Sequence, residues 1–305
     1  MNIDFFKTTK ILDGGMGQEL LAKGLISKGT LWSASGLIEE RNHQLVIDVH
    51  LSFINAGADV IVTNNFSARR IRMEQNKVLD HFNFANQKAG ELAVKAKEIS
   101  KKDILIAGSL PAQNDTYQVD KRDKKIIEKD FLNQAKIISP YVDFFYLDVL
   151  SSGKELELAL NVTEKLNKPV LVGLHIKNDG KLPSKETITE IVKKYKNSNW
   201  LGLITACVSL EIIEKTIDEN SKLGIPFGFK ANLWSKKEPL PQKNFNVAKF
   251  NEIGTNPNIA MGARKDITGK IFYKFSKRIM KKGATILGGC CETKPDHIKE
   301  ISKLK

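Results

Sequence analysis

Cysteine is scarce in this sequence, with three residues in 305. A small, odd number in a long chain argues against the disulfide frameworks that hold small secreted domains together. Long apolar runs are also missing, and no segment approaches the roughly 20 residues that cross a bilayer as a helix. The first residues, MNIDFFKTTK, lack the apolar stretch and cleavage site of a secretory signal. We therefore expect a cytoplasmic protein that contacts no membrane, in which clustered cysteines bind a metal or take part in chemistry.

Acidic residues are fewer than basic ones, 35 against 48, which gives a formal net charge of +13. Such an excess can mark a nucleic-acid surface, but the sequence has no aromatic RNA-binding signature and no arginine-rich stripe. The lysines are scattered through helix-like stretches such as KRDKKIIEKD, and several of these stretches also contain acidic residues. This pattern is typical of solvated helix faces, so we expect no nucleic-acid partner.

Short apolar runs alternate with amphipathic stretches along the whole sequence. The runs are continuous, as in parallel strands that are covered on both faces. Repeated strand–helix pairs over about 290 residues favour an α/β fold, a closed (β/α)8 TIM barrel, with an open doubly wound sheet as the alternative. No linker or break in composition divides the chain, so we predict one domain over residues 1–305. The predicted strands are Lys10–Asp13, Val60–Thr63, Ile104–Gly108, Phe144–Asp148, Val170–His175, Gly202–Ala206, Pro226–Lys230 and Thr285–Leu287. The predicted helices are Arg41–Ala56, Lys77–Ser100, Lys125–Ser139, Gly153–Leu166, Ser184–Lys196, Ser209–Leu223, Asp266–Lys282 and Pro295–Leu304.

All three cysteines follow predicted strands, Cys207 the sixth and the pair Cys290–Cys291 the eighth. In a barrel the carboxyl ends of the strands share one rim, where active sites are built, so these thiols can converge. Three thiolates suit zinc and leave a fourth tetrahedral position for water or substrate, which is the catalytic arrangement. Gly288 and Gly289 would let the backbone bend so that adjacent thiolates face one ion. The alternatives are a buried inert thiol or a redox-active pair.

The tail of the chain, ILGGCCETKPDHIKEI, carries two of the cysteines. It resembles the GGCC-x-T-x-P-x-x-I closing motif of the zinc-dependent homocysteine S-methyltransferase family. The segment ILDGGMGQELLAKG resembles the first strand and loop of that family, and LWSASGLI, VIDVHLSFINAGADVIVTNNFSA and IAGSLP match further blocks in the same order. The resemblance implies a barrel in which Cys207, Cys290 and Cys291 are both the catalytic residues and the ligands of one Zn²⁺ ion.

The resemblance also implies the reaction. A homocysteine-like thiol has a pKa near ~8.5, and binding to zinc as the fourth ligand favours its nucleophilic thiolate form. The sulfur then attacks a methyl group on a sulfonium or quaternary ammonium donor, in line with the leaving group. The implied partners are two small molecules, a methyl donor and a thiol acceptor, with homocysteine giving methionine. No feature of the sequence indicates an oligomeric state.

Further residues are predicted to contact the substrates. Asp13 and Asp148 are candidates for holding the ammonium group of the acceptor, with a turn or helix cap as the alternative for each. Asn232 matches the asparagine of the family's PN motif after strand 7, and it either contacts substrate or caps the loop backbone. Trp32 lies where relatives place a donor-side tryptophan whose face attracts a cation, with core packing as its alternative. Thr63, at the end of the second strand, completes the set.

Departures from the family pattern concentrate on the acceptor side. Relatives have glutamate at Asp148, asparagine at Ala206 and proline at Ala231, and their SGE-type stretch reads LWSKKE here. A thiol acceptor other than homocysteine, or a zinc-binding barrel without catalysis, therefore stays open as an alternative. Betaine-using relatives carry tyrosine at the position of Ser67, which favours a sulfonium donor for this chain.

Two further features have predictions of their own. His175 ends the fifth strand and is either a proton shuttle or substrate contact, or a neutral hydrogen-bonded residue. The polar segment 231–265 follows the seventh strand and is expected to lie over the catalytic mouth as a functional or mobile loop. Trp234, within that segment, either closes over a ligand or is an exposed anchor of the loop, and the exposed anchor is the favoured prediction.

Overall fold

The computed structural model describes residues 2–239 and 261–305. The strands β1 to β8 are Lys10–Ile11, Val60–Val62, Leu105–Pro111, Phe144–Leu150, Val170–Leu174, Trp200–Val208, Phe227–Ala231 and Ile286–Gly289. The α-helices of the described residues, α1 to α11, are Met16–Ala22, Ser35–Ile38, His43–Asn55, Arg70–Gln75, Phe82–Ser100, Lys124–Ile138, Gly153–Lys165, Ile188–Tyr195, Leu210–Asn220, Gly269–Lys281 and Pro295–Ile301. Within these ranges, no helix has both the length and the apolar character needed to span a membrane.

The eight strands lie parallel in the order β1-β8-β7-β6-β5-β4-β3-β2. The two ends of this order meet, because Leu12 bridges Val60 in parallel and the amide of Asp13 donates to the carbonyl of Val60 over 3.0 Å. The sheet therefore closes, and the helices that connect successive strands cover its outer face. This arrangement confirms the predicted (β/α)8 TIM barrel and excludes the open sheet.

The barrel interior is filled by the inward-facing half of each apolar run. Leu12, Val62 and Ile204 belong to this inner cluster, while a second, larger cluster packs the outer face of the sheet against the helices. Phe6, from a short helical turn that precedes β1, joins the inner cluster and lies edge-on to Phe144 at 6.0 Å between ring centroids. Because Phe144 begins β4, this contact closes the amino-terminal end of the barrel and leaves the opposite end open for a site.

Some predicted boundaries are wrong for a local reason. The predicted fourth and sixth strands stop at Asp148 and Ala206, but β4 and β6 each continue for two more residues. Both contain a bulge, where the register shifts between Leu147 and Leu150 and between Ala206 and Val208, and pairing then resumes. The predicted helix from Lys77 begins instead at Phe82, because Lys77 adopts a φ of 58°, which an α-helix does not contain. The short helices α1, α2 and α4 were not predicted.

Candidate active site

Three cysteine sulfurs meet at the carboxyl-terminal end of the barrel. The Sγ atoms of Cys207 and Cys291 are 3.7 Å apart, those of Cys290 and Cys291 are 3.9 Å apart, and all three lie within 4.8 Å of one another. In a tetrahedral zinc site with Zn–S bonds of about 2.3 Å, neighbouring sulfurs are about 3.8 Å apart. The donor set and its spacing therefore fit one zinc ion, with a position left for a further ligand.

Cys207 belongs to the bulge of β6. The register of β6 against β7 shifts between Ala206 and Val208, and Cys207 has a φ of 52°, a left-handed conformation that is uncommon outside glycine. Asn232 holds this bulge, because its Nδ2 donates to the carbonyl oxygen of Cys207 over 2.8 Å and lies 3.8 Å from the Cys207 Sγ. Asn232 thus lies behind the sulfur cluster and contacts a cysteine, and it is not among the residues that line the cavity.

The Cys290–Cys291 segment is held by close backbone packing. A Cβ added at Gly289 would lie 2.0 Å from Oγ1 of Thr293, and one added at Gly15 would lie 2.7 Å from the carbonyl oxygen of Cys290. The amide of Cys290 donates to the carbonyl of Ala231 at the end of β7 over 2.7 Å. The glycines of the first loop and of the last strand therefore let the two loops approach and fix the adjacent thiols.

Burial and the hydrogen bonds between the sulfurs shift the pKa values of the cysteine thiols. Although burial raises the pKa of the Cys207 thiol, hydrogen bonds from Cys290, Cys291 and Tyr117 outweigh burial and lower that pKa. The Tyr117 hydroxyl lies 3.2 Å from the Cys207 Sγ. Burial, together with the hydrogen bond to Cys207, raises the pKa of Cys291. A divalent cation bound by the three sulfurs would favour their thiolate forms.

Both predicted aspartates line the cavity. Asp13 is 1% exposed, and its Oδ2 accepts a hydrogen bond from the amide of Val62 over 2.7 Å. Asp148, also buried, accepts a hydrogen bond from the hydroxyl of Ser109 over 2.9 Å. Burial, reinforced by the neighbouring Cys290, raises the pKa of Asp148 to about 7. Both carboxylates line the cavity onto which the cysteines open.

Lys230 is a cavity residue that the sequence analysis did not single out. It lies on β7, is 5% exposed, and its ammonium forms an ion pair of 2.5 Å with Oδ1 of Asp13. Although burial lowers the pKa of Lys230, the charges of Asp13, Cys290 and Asp148 outweigh burial and raise that pKa, so the ammonium stays protonated. The signal was present in the sequence, because a lysine inside the apolar run PFGFKANL is rare unless the charge is paired.

Aromatic side chains also line the cavity. Trp32, Phe66, Tyr117 and Trp234 all face it, as does the small side chain of Ser67. Of the two alternatives for Trp234, the favoured exposed position is wrong, because this side chain is 3% exposed and lies edge-on to Tyr117 at 6.2 Å. The start of the loop lies against the site, because the amide of Leu233 donates a hydrogen bond to the carbonyl oxygen of Cys291 over 3.0 Å. Residues 240–260 of the predicted 231–265 loop lie outside the described residues.

Two other predicted residues use their polar atoms within the protein. The hydroxyl of Thr63 donates to Asn65 over 2.8 Å and accepts from the amide of Ser109 over 2.9 Å, although Thr63 also lines the cavity. His175 is buried, its ring packs on Tyr117 at 4.6 Å, and burial lowers its pKa to about 4. His175 is therefore neutral, as one of its two predicted alternatives required.

The structure brings most of the predicted site residues to one cavity. The side chains that line it together are Asp13, Trp32, Thr63, Asp148, Cys207, Cys290 and Cys291. Such a cavity can hold a soft metal ion at one point, a charged or zwitterionic group beside it, and a cation against aromatic rings at the other side.

Comparison with known proteins connects this geometry to a family. A sequence model of the homocysteine S-methyltransferase family matches residues 10–304. Homocysteine S-methyltransferase 2 of Saccharomyces cerevisiae is 24% identical over 97% of this chain and 94% of its own. Betaine–homocysteine S-methyltransferase 1 of Pongo abelii is 26% identical over 95% of this chain and 71% of its own.

A solved structure shares the fold. The metallated form of the homocysteine methyltransferase MmuM from Escherichia coli superposes with a TM-score of 0.78 at 19% identity, and the match covers 97% of this chain and 96% of that one. The two chains thus share the same overall fold.

Proposed function

The chain belongs to the homocysteine S-methyltransferase family, and we propose that it transfers a methyl group from a cationic donor to the sulfur of a thiol, with homocysteine as the acceptor. The single observation that supports this most is the meeting of three cysteine sulfurs in a cavity that also holds carboxylates and aromatic rings. Donors of this chemistry carry the methyl group on a sulfonium or a quaternary ammonium. Ser67, a small residue at the cavity wall, favours the sulfonium.

The metal in this proposal is zinc. Cys207, Cys290 and Cys291 would hold it, because three thiolates at this spacing match its preferred ligands and tetrahedral geometry. When bound, zinc supplies a Lewis acid that favours the thiolate form of the acceptor near neutral pH. The fit is supported by the donor set itself, since the described residues bring three sulfur ligands within 4.8 Å of one another.

The side chains of the cavity then bind and align two small molecules. A lone pair on the acceptor sulfur forms the new S–C bond while the C–S bond of a sulfonium donor breaks. The donor leaves as a neutral thioether, or as a tertiary amine if it was a quaternary ammonium, and the proton of the thiol passes to solvent. Trp32 holds the cationic donor by an attraction of roughly 2 kcal/mol when it is shielded from water. No side chain has to carry the methyl group.

Zinc analysis combined with a methylation assay tests the proposal. The purified, reduced protein is assayed with homocysteine against S-methylmethionine, S-adenosylmethionine, betaine and dimethylsulfoniopropionate, and its metal content is measured. We expect one zinc per chain and formation of methionine from at least one donor. Replacing Cys290 by Ser should lower both zinc content and activity.

The outcomes separate the parts of the proposal. Protein that retains no zinc under reducing conditions contradicts the metal assignment. Zinc-loaded protein that methylates no thiol with any donor contradicts the activity and favours a zinc-binding barrel without catalysis. Full activity in C290S contradicts the role of that residue as a ligand.

A further inference from the structure

A buried cation lies in the cavity, where the sequence predicted only carboxylates. Lys230 lines the cavity together with the three cysteines and is 5% exposed. Its Nζ is 2.5 Å from Oδ1 of Asp13. The charge of Asp13 is thus already compensated, and an acceptor ammonium placed on the same carboxylate would bring two like charges together. Like charges at roughly 4 Å repel strongly at a buried site.

The ammonium of Lys230 has hydrogen-bonding capacity to spare. A protonated lysine offers three N–H donors. In the described part of the chain, Asp13 is the only hydrogen-bond acceptor for this group, and its other close neighbour is the face of the Tyr146 ring at 5.8 Å. Because Lys230 lines the cavity, its remaining donors are available to a bound anion.

Asp148 is the cavity carboxylate that lies outside the Lys230–Asp13 ion pair. It accepts a hydrogen bond from Ser109, and it forms no ion pair with any residue that the structure describes. It is close enough to Lys230 for the two charges to interact electrostatically. Beside the cysteine sulfurs the cavity therefore presents an ammonium group with free donors and a carboxyl group outside the ion pair, and these two groups match the carboxylate and the ammonium of an α-amino acid.

We propose that Lys230 binds the carboxylate of the thiol acceptor and that Asp148, and not Asp13, binds its ammonium group. Asp13 then positions Lys230 through their ion pair. This inference rests on the proposed function and assigns the substrate class, thiols that carry a carboxylate a few bonds from the sulfur, with Lys230 as the residue that selects for it. The aspartate at residue 13 serves the acceptor indirectly, which differs from the expectation drawn from the sequence.

Four thiols separate the two charged groups of the acceptor. Homocysteine carries both, 4-mercaptobutanoate only the carboxylate, 3-aminopropane-1-thiol only the ammonium, and propane-1-thiol neither. Their binding to the zinc-loaded protein is measured by calorimetry for the wild type and for K230M. We expect the wild type to bind each carboxylate-bearing thiol roughly tenfold to a hundredfold more tightly than its counterpart without the carboxylate, as for a hydrogen bond to a charged group. In K230M this preference should disappear, while propane-1-thiol binds as before.

Control variants keep the result interpretable. K230M leaves Asp13 buried without its partner, so the double variant D13N/K230M, which has no unpaired charge, is measured beside it and should show the same loss of preference. K165M removes one lysine charge from an exposed ion pair with Glu128 and should bind all four thiols like the wild type. K230R keeps the positive charge but changes the shape of the side chain. If it restores the preference for carboxylate-bearing thiols, the charge of residue 230 and not its packing is responsible.

Several results would overturn the inference. It is wrong if K230M weakens all four thiols equally, or if the wild type binds 3-aminopropane-1-thiol as tightly as homocysteine. It is also wrong if K230M loses zinc but the remaining holoprotein keeps the wild-type preference, because Lys230 would then serve the sulfur cluster. Zinc-loaded wild type that binds none of the four thiols contradicts the proposed function and this inference together. Methylation that proceeds without any preference for a carboxylate contradicts this inference alone.

Discussion

Replacing Gly17 by Ala is expected to weaken binding of the methyl donor without touching the metal or the acceptor. Gly17 is the second residue of α1 and lies directly against the indole of Trp32. A Cβ at this position would be 2.3 Å from Cζ2 and 2.4 Å from Cε2 of that ring. Since the Gly17 backbone is helical, alanine fits the backbone itself, and the perturbation falls on Trp32.

The magnitude follows from the displacement that the new methyl group requires. Carbon atoms pack at about 3.5 Å or more, so the ring has to move by about 1.2 Å. Trp32 has a φ of 49°, and its Nε1 has no hydrogen-bond partner among the described residues, so close packing is what fixes the ring. Complete loss of a desolvated cation–π contact, roughly 2 kcal/mol, corresponds to roughly 30-fold in affinity. We expect about that loss for W32A and roughly tenfold for G17A.

Donor affinity, acceptor affinity and zinc content are to be measured for wild type, G17A, W32A and the double variant. Because alanine at position 32 removes the ring that Gly17 accommodates, G17A should have no further effect in the W32A background. Gly36→Ala, in the neighbouring helix α2, is the matched control, since its Cβ would meet a Val46 methyl group at 3.1 Å and the Leu25 methyl groups at 3.7 Å and would not contact Trp32. Additive losses in the double variant, or unchanged donor affinity in G17A, would refute the reasoning.

Two predictions concern the support of the site. Asn232→Ala should weaken zinc binding roughly tenfold to a hundredfold in a chelator competition, because the amide that holds Cys207 is lost; a raised KM for the thiol at unchanged zinc affinity would instead make Asn232 a substrate contact. Burial raises the pKa of Glu155 to about 7 from its ordinary 4.5, so the stability that this residue contributes falls as pH rises through that window. E155Q should therefore exceed the wild type in free energy of unfolding by about 3 kcal/mol at pH 8 but only about 1 kcal/mol at pH 5. Urea unfolding at both values checks this, and an equal difference at both would contradict it.

The parts of the structure that the sequence predicted are those with a local chemical pattern. Continuous apolar runs identified every strand of the barrel, because strands covered on both faces tolerate few polar residues. The carboxyl-terminal rim then brought Asp13 and Asp148 together with the cysteines from four different strands, since the ends of parallel strands meet at one face. The glycines beside Cys290 could be interpreted in the same way, because only a residue without a side chain fits so close an approach.

What could not be predicted depends on contacts between distant segments. The charge partner of Lys230 is Asp13, 217 residues away in the chain, and no local pattern links them. Trp234 follows polar turn residues and looks exposed by composition, but the backbone bonds of its neighbours draw it onto the cavity. The bulge at Cys207 likewise depends on β7 and on Asn232, so the sequence placed this residue after its strand when it lies within it.

Four residues that line the cavity have strained backbone conformations. Trp32, Tyr117, Val149 and Cys207 all adopt positive φ, and all four line the cavity. Each such conformation in a non-glycine residue costs of order 1–3 kcal/mol and persists only when surrounding contacts fix it. For Val149 and Cys207 the fixing contacts come from the bulged strands, in which the two residues occupy equivalent positions in β4 and β6. A bulge changes the direction of the side chains beside it relative to the regular pleat. The bulge in β4 presents Asp148 to the cavity, and the bulge in β6 presents Cys207 to it. The rigidity of the barrel therefore offsets the strain of the site, and substitutions that relax a bulge should raise stability while lowering substrate affinity.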